Sequence, residues 1–116
     1  MNSTIELIFK NFQVNNNSIP VSFLRYTGKS TTYITYNQTQ IDTTFSANDE
    51  LQNYVDYYDF DIYSKGNYLP IIKSVKEIMK TNGFRWQPSM DSSDLYEDDT
   101  GYYHKTLCFS IERTEE

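Results

Sequence analysis

The chain has 116 residues, one cysteine and a net charge of −6, and 16% of its residues are aromatic. This length fits one domain, and the aromatic content is too high for a disordered chain. The negative charge argues against a nucleic-acid-binding protein, which carries a basic patch, and no apolar run approaches the roughly 20 residues of a transmembrane helix. A single cysteine excludes an internal disulfide and favours a reducing compartment.

The first part of the chain predicts a short helix and then two strands. Four apolar residues recur at the spacing of one helix face: Ile5, Ile8, Phe9 and Phe12. We therefore expect a helix at about residues 4–13. Residues 21–26 alternate and residues 31–36 are rich in β-branched and aromatic side chains, so they predict a hairpin with a turn at Gly28.

The middle of the chain predicts one weak and one strong strand. Residues 38–50 are polar and poorly patterned, and Ile41 and Phe45 indicate a short edge strand or an extended arm. Residues 53–67 give the strongest strand, because apolar and acidic side chains alternate there. The side chains expected in the core are Tyr58, Phe60 and Ile62, and those expected on the other face are Asp59 and Asp61.

The last part of the chain predicts a helix and two strands. Apolar residues at helical spacing predict a helix at about 68–80, with Asn67 as its cap and Gly83 beyond its end. Residues 84–88 are expected to form a short strand, and residues 102–113 alternate as a longer one.

The order of these elements predicts the fold class. A helix, three strands, a second helix and two strands favour a single α+β domain over residues 1–116. We expect a mostly antiparallel sheet of about four to five strands, with the two helices packed on one face.

An acidic stretch, residues 91–105, is the most distinctive local feature. It has five carboxylates and one imidazole, which is the composition of a metal site, an acid/base site or a solvated loop. A calcium loop needs acidic residues at alternate positions and glycine at the sixth. Counting from Asp91, the third, fifth and sixth residues are Ser93, Leu95 and Tyr96. We therefore predict no metal site there.

The residues available for catalysis are few. His104 and Cys108 are the only histidine and the only cysteine, and they lie four positions apart in one strand pattern. That spacing puts them about 13 Å apart along the strand, too far for a nucleophile and its base. We expect Cys108 to be a small packed thiol, and we predict no catalytic residue and no cofactor.

Two stretches together resemble a known family. The first is FDIYSKGNY at a strand-to-helix junction, and the second is GFRW followed by DLYEDDTGYYHKTLCF. They resemble the tail-completion, or tail-to-head joining, proteins of siphophages and of prophages of Gram-positive bacteria. The resemblance spans about residues 31–111. The matching positions are Asp61 to Gly66, Val75, Lys76, Gly83, Phe84, Asp94 to Thr100, Tyr103, His104 and Lys105.

The resemblance implies a structural virion protein with a fold like that of tail terminators. Such proteins form a ring, commonly of six, on the head-proximal end of the tail tube, and the ring joins the tail to the head connector. The implied partners are other copies of the chain, the major tail-tube protein, the head-completion or connector protein and DNA passing through without specific binding. The implied location is the virion, and the host cytoplasm during assembly.

The resemblance also implies where the contacts lie. Leu95 and Tyr96 would hold the acidic segment to the body, while its carboxylates stay in water or meet a neighbour. We expect residues 89–100 to be mobile in a free subunit and to become ordered on assembly. We also expect a ring of six copies to have an acidic channel; Asp56, Asp59 and Asp61 are candidates for its lining, and the alternative is that this strand face points outward. The candidate subunit or tail contacts are Tyr63, Lys65, Asp94, Leu95, Tyr96, Glu97, Asp98 and Asp99.

Two other classes of protein stay open. A small acidic phage-borne inhibitor that mimics DNA would also have a strong negative charge. In this chain, however, lysines and arginines interrupt the continuous acidic surface that such a mimic needs, among them Lys73, Lys76 and Lys80. A calcium- or sugar-binding module is the third class, suggested by the acidic stretch and by the tyrosines of residues 54–63.

Overall fold

The structure, a computed structural model, describes residues 2–45 and 52–115. Within these ranges the chain forms two α-helices, one 3₁₀ turn and eight strands. In chain order they are α1 (Asn2–Ile8), β1 (Gln13–Val14), β2 (Asn17–Ser18), β3 (Val21–Phe23), β4 (Thr32–Phe45), β5 (Gln52–Ser64), α2 (Leu69–Thr81), β6 (Arg85–Trp86), the 3₁₀ turn (Pro88–Met90), β7 (Leu95–Glu97) and β8 (Tyr102–Glu115).

Three long antiparallel strands form the body of the main sheet. β5 lies between β4 and β8, and these strands have 13, 14 and 14 residues. A strand of 14 residues is about 46 Å long. The three strands therefore set the long dimension of the molecule, which measures 52 × 27 × 23 Å. β3 lies beyond β4, while β6 and β7 lie one after the other along the outer edge of β8.

The core lies on one face of this sheet. Tyr58, Phe60 and Ile62 of β5 are buried, as the alternation of the sequence predicts. Across the sheet, Phe60 is paired with Tyr36 on one side and Leu107 on the other, and both are buried. Side chains of both helices belong to the same core: Ile5 from α1, and Ile71, Ile72, Val75 and Met79 from α2.

The coarse fold prediction is confirmed. The described residues form a compact α+β unit with two helices and a core made mostly of sheet. The main sheet has six strands rather than four to five, because two short strands share the outer edge of β8. The N-cap of α2 is Tyr68 rather than the predicted Asn67, although Asn67 Oδ1 accepts a hydrogen bond from the Leu69 N–H at 3.2 Å. Gly83 follows the helix with a φ of 87°, as predicted.

The first helix is shorter than predicted. It ends at Ile8 rather than near residue 13, and the chain turns away from helical geometry at Asn11, which has a φ of 60°. Phe9 and Phe12 stay buried, with their ring centroids 5.1 Å apart. The apolar spacing thus identified the buried side chains correctly, but it did not fix the end of the helix.

The predicted hairpin of residues 21–26 and 31–36 is wrong. β3 is only three residues long and pairs with β4 in parallel, in the register Val21 to Ile34. Leu24 has a φ of 66° and ends β3, after which residues 24–31 return along the sheet. Tyr26 in this returning segment stacks on Tyr33, with ring centroids 4.6 Å apart. This aromatic contact holds the segment against the sheet, and a prediction based on turn residues alone does not include it.

The polar segment 38–50 forms more strand than predicted. β4 continues to Phe45 and pairs with β5 along that length, with one irregularity between Gln38 and Gln40. Beyond Tyr36, β3 no longer covers β4, so this part of β4 is an edge strand within the described ranges. Residues 46–50 of the predicted segment lie outside the described residues.

Substitution of Phe60 tests the position of the core. Phe60→Ala should lower the free energy of unfolding by about 3–5 kcal/mol, because it leaves a cavity at a fully buried site. Leu7→Ala, at an exposed apolar site, should change it by less than about 0.5 kcal/mol. Urea denaturation followed by circular dichroism measures both, and equal effects would contradict the core described above.

Candidate functional site

The acidic segment after β6 lies along the outer edge of β8. Asp91 Oδ1 accepts a hydrogen bond from the Cys108 N–H at 2.9 Å, and Asp91 Oδ2 accepts one from Trp86 Nε1 at 2.8 Å. Ser92 exchanges two bonds with Thr106: its N–H donates to the Thr106 carbonyl at 3.0 Å, and its hydroxyl accepts from the Thr106 N–H at 2.8 Å. Side chains therefore complete the edge of β8 between β6 and β7.

Asp94 connects this segment to the start of α2. Its carboxylate accepts a hydrogen bond from the Tyr68 hydroxyl, and Lys105 Nζ lies 3.7 Å from Asp94 Oδ1. Burial, with a further contribution from this bond, raises the pKa of Tyr68 to about 12. Lys105 Nζ also donates to the Ser92 carbonyl at 3.1 Å. The Asp94 side chain is mostly exposed, so its ion pair adds little stability and acts mainly as a positioning contact.

β7 and the start of β8 form a tight hairpin. Leu95, Tyr96 and Glu97 pair with residues 104, 103 and 102. Gly101 has a φ of 77°, and its N–H donates to the Glu97 carbonyl at 2.8 Å, so the turn needs a residue that tolerates the left-handed region.

The expectation of a mobile segment at residues 89–100 rested on a lack of partners for its carboxylates. The structure provides such partners within the chain for two of the five carboxylates, Asp91 and Asp94. Hydrogen bonding to the edge of β8 accounts for this difference. Periodicity cannot reveal it, because the bonds come from side chains rather than from a regular strand.

A surface groove lies between this segment and the start of α2, with a volume of about 660 Å³. Its apolar walls are Tyr68, Leu69, Leu95, Tyr96 and Tyr103, and we call it the tyrosine groove. Leu69 is 64% exposed and Tyr96 is 54% exposed. The ring centroids of Tyr96 and Tyr103 lie 4.9 Å apart, so these rings form one continuous apolar surface. Exposed apolar side chains are thus gathered at this place on the surface.

Four of the eight predicted contact residues line this groove. Lys65, Asp94, Leu95 and Tyr96 line it. Glu97, Asp98 and Asp99 continue from β7 into the adjacent exposed turn. Tyr68, Leu69 and Tyr103 were not among the predicted contact residues. They line the groove because β7 pairs with β8 beside the start of α2.

Tyr63 lies apart from the other predicted contact residues, on the opposite face of the sheet. There it stacks between Tyr33 at 4.9 Å and His104 at 4.3 Å, with Tyr26 beyond Tyr33. Burial is the main cause that raises the pKa of both Tyr33 and Tyr63. This column of rings crosses β4, β5 and β8, and it follows from their register, in which residues 33, 63 and 104 are paired.

The three aspartates of the expected channel have different surroundings. Asp56 is only 2% exposed, with Arg113 Nε 2.7 Å from its Oδ2, so the prediction that it lines a channel is wrong. Strand alternation explains this, because Asp56 shares the core face with Tyr58. Asp61 accepts hydrogen bonds from Thr106 Oγ1 at 2.5 Å and lies 3.3 Å from His104 Nε2. Burial, followed by the charge of Asp61, raises the pKa of Asp59.

The thiol of Cys108 is fully buried, as the sequence predicted. Burial, with a further contribution from the Asp59 carboxylate, raises the pKa of this thiol to about 12. The thiolate is the nucleophilic form, so Cys108 is inert at neutral pH.

No group of three or more metal-ligating side chains gathers in the part of the chain that the structure describes. Among the same residues, no helix is long and apolar enough to cross a membrane. No model of a known protein family matches the chain, and no curated protein matches it either. The resemblance to tail-completion proteins therefore stays a prediction from the sequence motifs.

The reactivity of Cys108 tests its burial. Iodoacetamide at pH 8 should modify the native thiol at least about 100-fold more slowly than the thiol of the urea-unfolded chain, because only the thiolate reacts. Raising the pH toward 12 should speed the native reaction as the thiolate forms. Mass spectrometry of timed samples measures both rates, and equal rates at pH 8 would contradict the buried environment.

Asp91→Ala tests whether the side chains of the acidic segment complete the sheet edge. The substitution removes two hydrogen bonds to a carboxylate, and we expect a loss of about 2 kcal/mol in the free energy of unfolding. Trp86 is the only tryptophan, so its fluorescence should change as well. Asp98→Ala is the matched control from the exposed turn, and it should leave both signals unchanged. Equal behaviour of the two variants would show that Asp91 does not hold the edge.

Proposed function

We propose that this chain is a structural protein of a phage or prophage virion. In this proposal it forms a ring, commonly of six copies, on the head-proximal end of the tail tube and joins the tail to the head connector. It has no enzymatic activity and needs no cofactor or metal. Its location is the virion, at the head–tail interface, and the host cytoplasm during assembly.

One observation carries the proposal. Two of the segments that resemble tail-completion proteins, residues 60–68 and 94–109, are far apart in the sequence but adjacent in the fold. Ser64 pairs with Tyr103 across β5 and β8, and Tyr68 bonds to Asp94 across the groove. The end of the first segment and the start of the second line the same exposed groove, which supports a protein that works by assembly.

The fold supports the same function. We propose that the sheet with α1 and α2 against its core is a tail-terminator-like domain. Elongated strands of 13 to 14 residues give each copy a long body, which suits the wall of a ring. The partners in this proposal are other copies of the chain, the major tail-tube protein and the head-completion or connector protein. DNA passes through the lumen, and a net negative charge lets it slide without release of counterions.

The environment of the carboxylates favours this proposal over an inhibitor that mimics DNA. A mimic needs exposed carboxylates in place of phosphates. Here Asp56 is bonded to Arg113, Asp61 to Thr106, and Asp91 to the edge of β8. These three acids satisfy groups of their own chain, so fewer carboxylates are available to imitate phosphates than the net charge of the sequence suggests.

Deletion of the gene from its virus or prophage tests the proposal. Induced cells should release DNA-filled heads and detached tails, because the joint between them is missing, and infectivity should fall to background. Electron microscopy and plaque assays measure these effects. Adding the purified chain to such an extract should restore infectious particles. Normal particles without the chain would contradict the proposal, and so would binding of the purified chain to a host nucleic-acid enzyme with loss of that enzyme's activity.

A further inference from the structure

One end of the outer edge of β8 carries an apolar surface with an acidic rim. The tyrosine groove provides the apolar part, and Glu97, Asp98 and Asp99 follow it in an exposed turn. Asp94 is offset by Lys105, and Lys65 at the groove offsets one of the three rim carboxylates, so the surface keeps a net negative charge. None of these three forms an ion pair with another described residue. We call the groove and its rim the acidic patch.

The middle of this edge, beside β6, carries an apolar surface with lysines. Trp86 is 41% exposed and Met90 is 44% exposed. Lys76 Nζ lies 3.6 Å from the centroid of the Trp86 ring, so a helix lysine and the apolar surface are in contact. Lys73 and Lys80 lie on the same side of α2 as Lys76, by their spacing of three and four, while Glu77 offsets one of these charges. We call this surface the basic patch.

The two patches cannot neutralise each other within one molecule. β7 pairs with β8 at residues 102–104, and β6 pairs with it at residues 109–110. Residues 103 and 109 are about 20 Å apart along a strand. This exceeds the Debye length of about 8 Å at physiological ionic strength, so each patch stays without its complement.

We propose that the acidic patch of one copy docks on the basic patch of a second copy. This inference rests on the proposed function, which requires self-association, and it assigns the surfaces that carry it. Every copy has both halves of the contact, with opposite charge around an apolar centre. The occupant is therefore another copy of this chain, because charge and apolar surface match without any further partner. Contact between two different surfaces generates a ring when the rotation between copies closes.

Charge reversal in each patch tests the contact. The first variant carries Asp98→Lys and Asp99→Lys, and the second carries Lys73→Glu and Lys80→Glu. All four side chains are exposed, so folding should be unaffected. Each variant alone should self-associate about 100-fold more weakly than the unchanged chain, because like charges then face each other. An equimolar mixture should regain association, since each variant now complements the other. Sedimentation velocity measures the three samples.

A matched control carries Lys10→Glu and Lys29→Glu, which reverse two exposed lysines outside both patches. It should associate like the unchanged chain. High salt should weaken association of the unchanged chain, because the Debye length falls to about 3 Å at 1 M. Association that neither patch variant affects would overturn the proposed contact while leaving the function in the tail intact. A chain that stays monomeric at millimolar concentration would also overturn it.

Electron microscopy of the associated chain separates this inference from the proposed function. Rings that both patch variants dissociate support the two together. A closed dimer that the same variants dissociate supports the contact between patches and contradicts the ring. The deletion experiment on virus particles is independent of either result.

Discussion

The rest of the structure depends on how the backbone groups at the outer edge of β8 are hydrogen-bonded. β5 pairs with one side of β8 over residues 103–115, but on the other side β7 covers only residues 102–104 and β6 only residues 109–110. An open edge is a template for uncontrolled pairing with other chains. Asp91 and Ser92 close the gap by accepting the N–H groups of residues 108 and 106. Asp91, the first acidic residue of the segment, thus has a structural role that does not depend on any contact with a partner.

The register of the three long strands separates two kinds of surface. A slip of one residue would exchange every side chain between the faces of the sheet. In the observed register Phe60 lies in the core, while Tyr63 joins the column of stacked rings on the other face. The same register pairs Tyr63 with His104 and Ser64 with Tyr103, which puts His104 in the ring column and Tyr103 in the groove. One alignment of strands therefore builds the core, the ring column and part of the candidate contact surface.

The sequence predicted those features that depend on local periodicity. The alternation around Phe60 predicted the core face of β5, and Asn67 and Gly83 predicted the limits of α2 closely. The predictions from sequence were wrong where a contact between distant parts of the chain determines the structure. The parallel pairing of β3 depends on a return segment held by Tyr26 against Tyr33, and the groove depends on the pairing of β7 with β8. Strand alternation does predict the burial of Asp56, since Asp56 lies two residues from Tyr58 and therefore on the same face of the sheet.

One segment fixes the spacing between the two patches. Asp91 holds the indole of Trp86, and the Trp86 ring lies under Lys76, so the basic patch is tied to the start of the acidic segment. Three residues later, Asp94 bonds to Tyr68 and holds the wall of the groove. Because this segment is bonded to β8 between these points, the rise per residue of a strand sets the distance from one patch to the other. The distance is therefore a property of the sheet, and a contact between copies would meet the same spacing in every subunit.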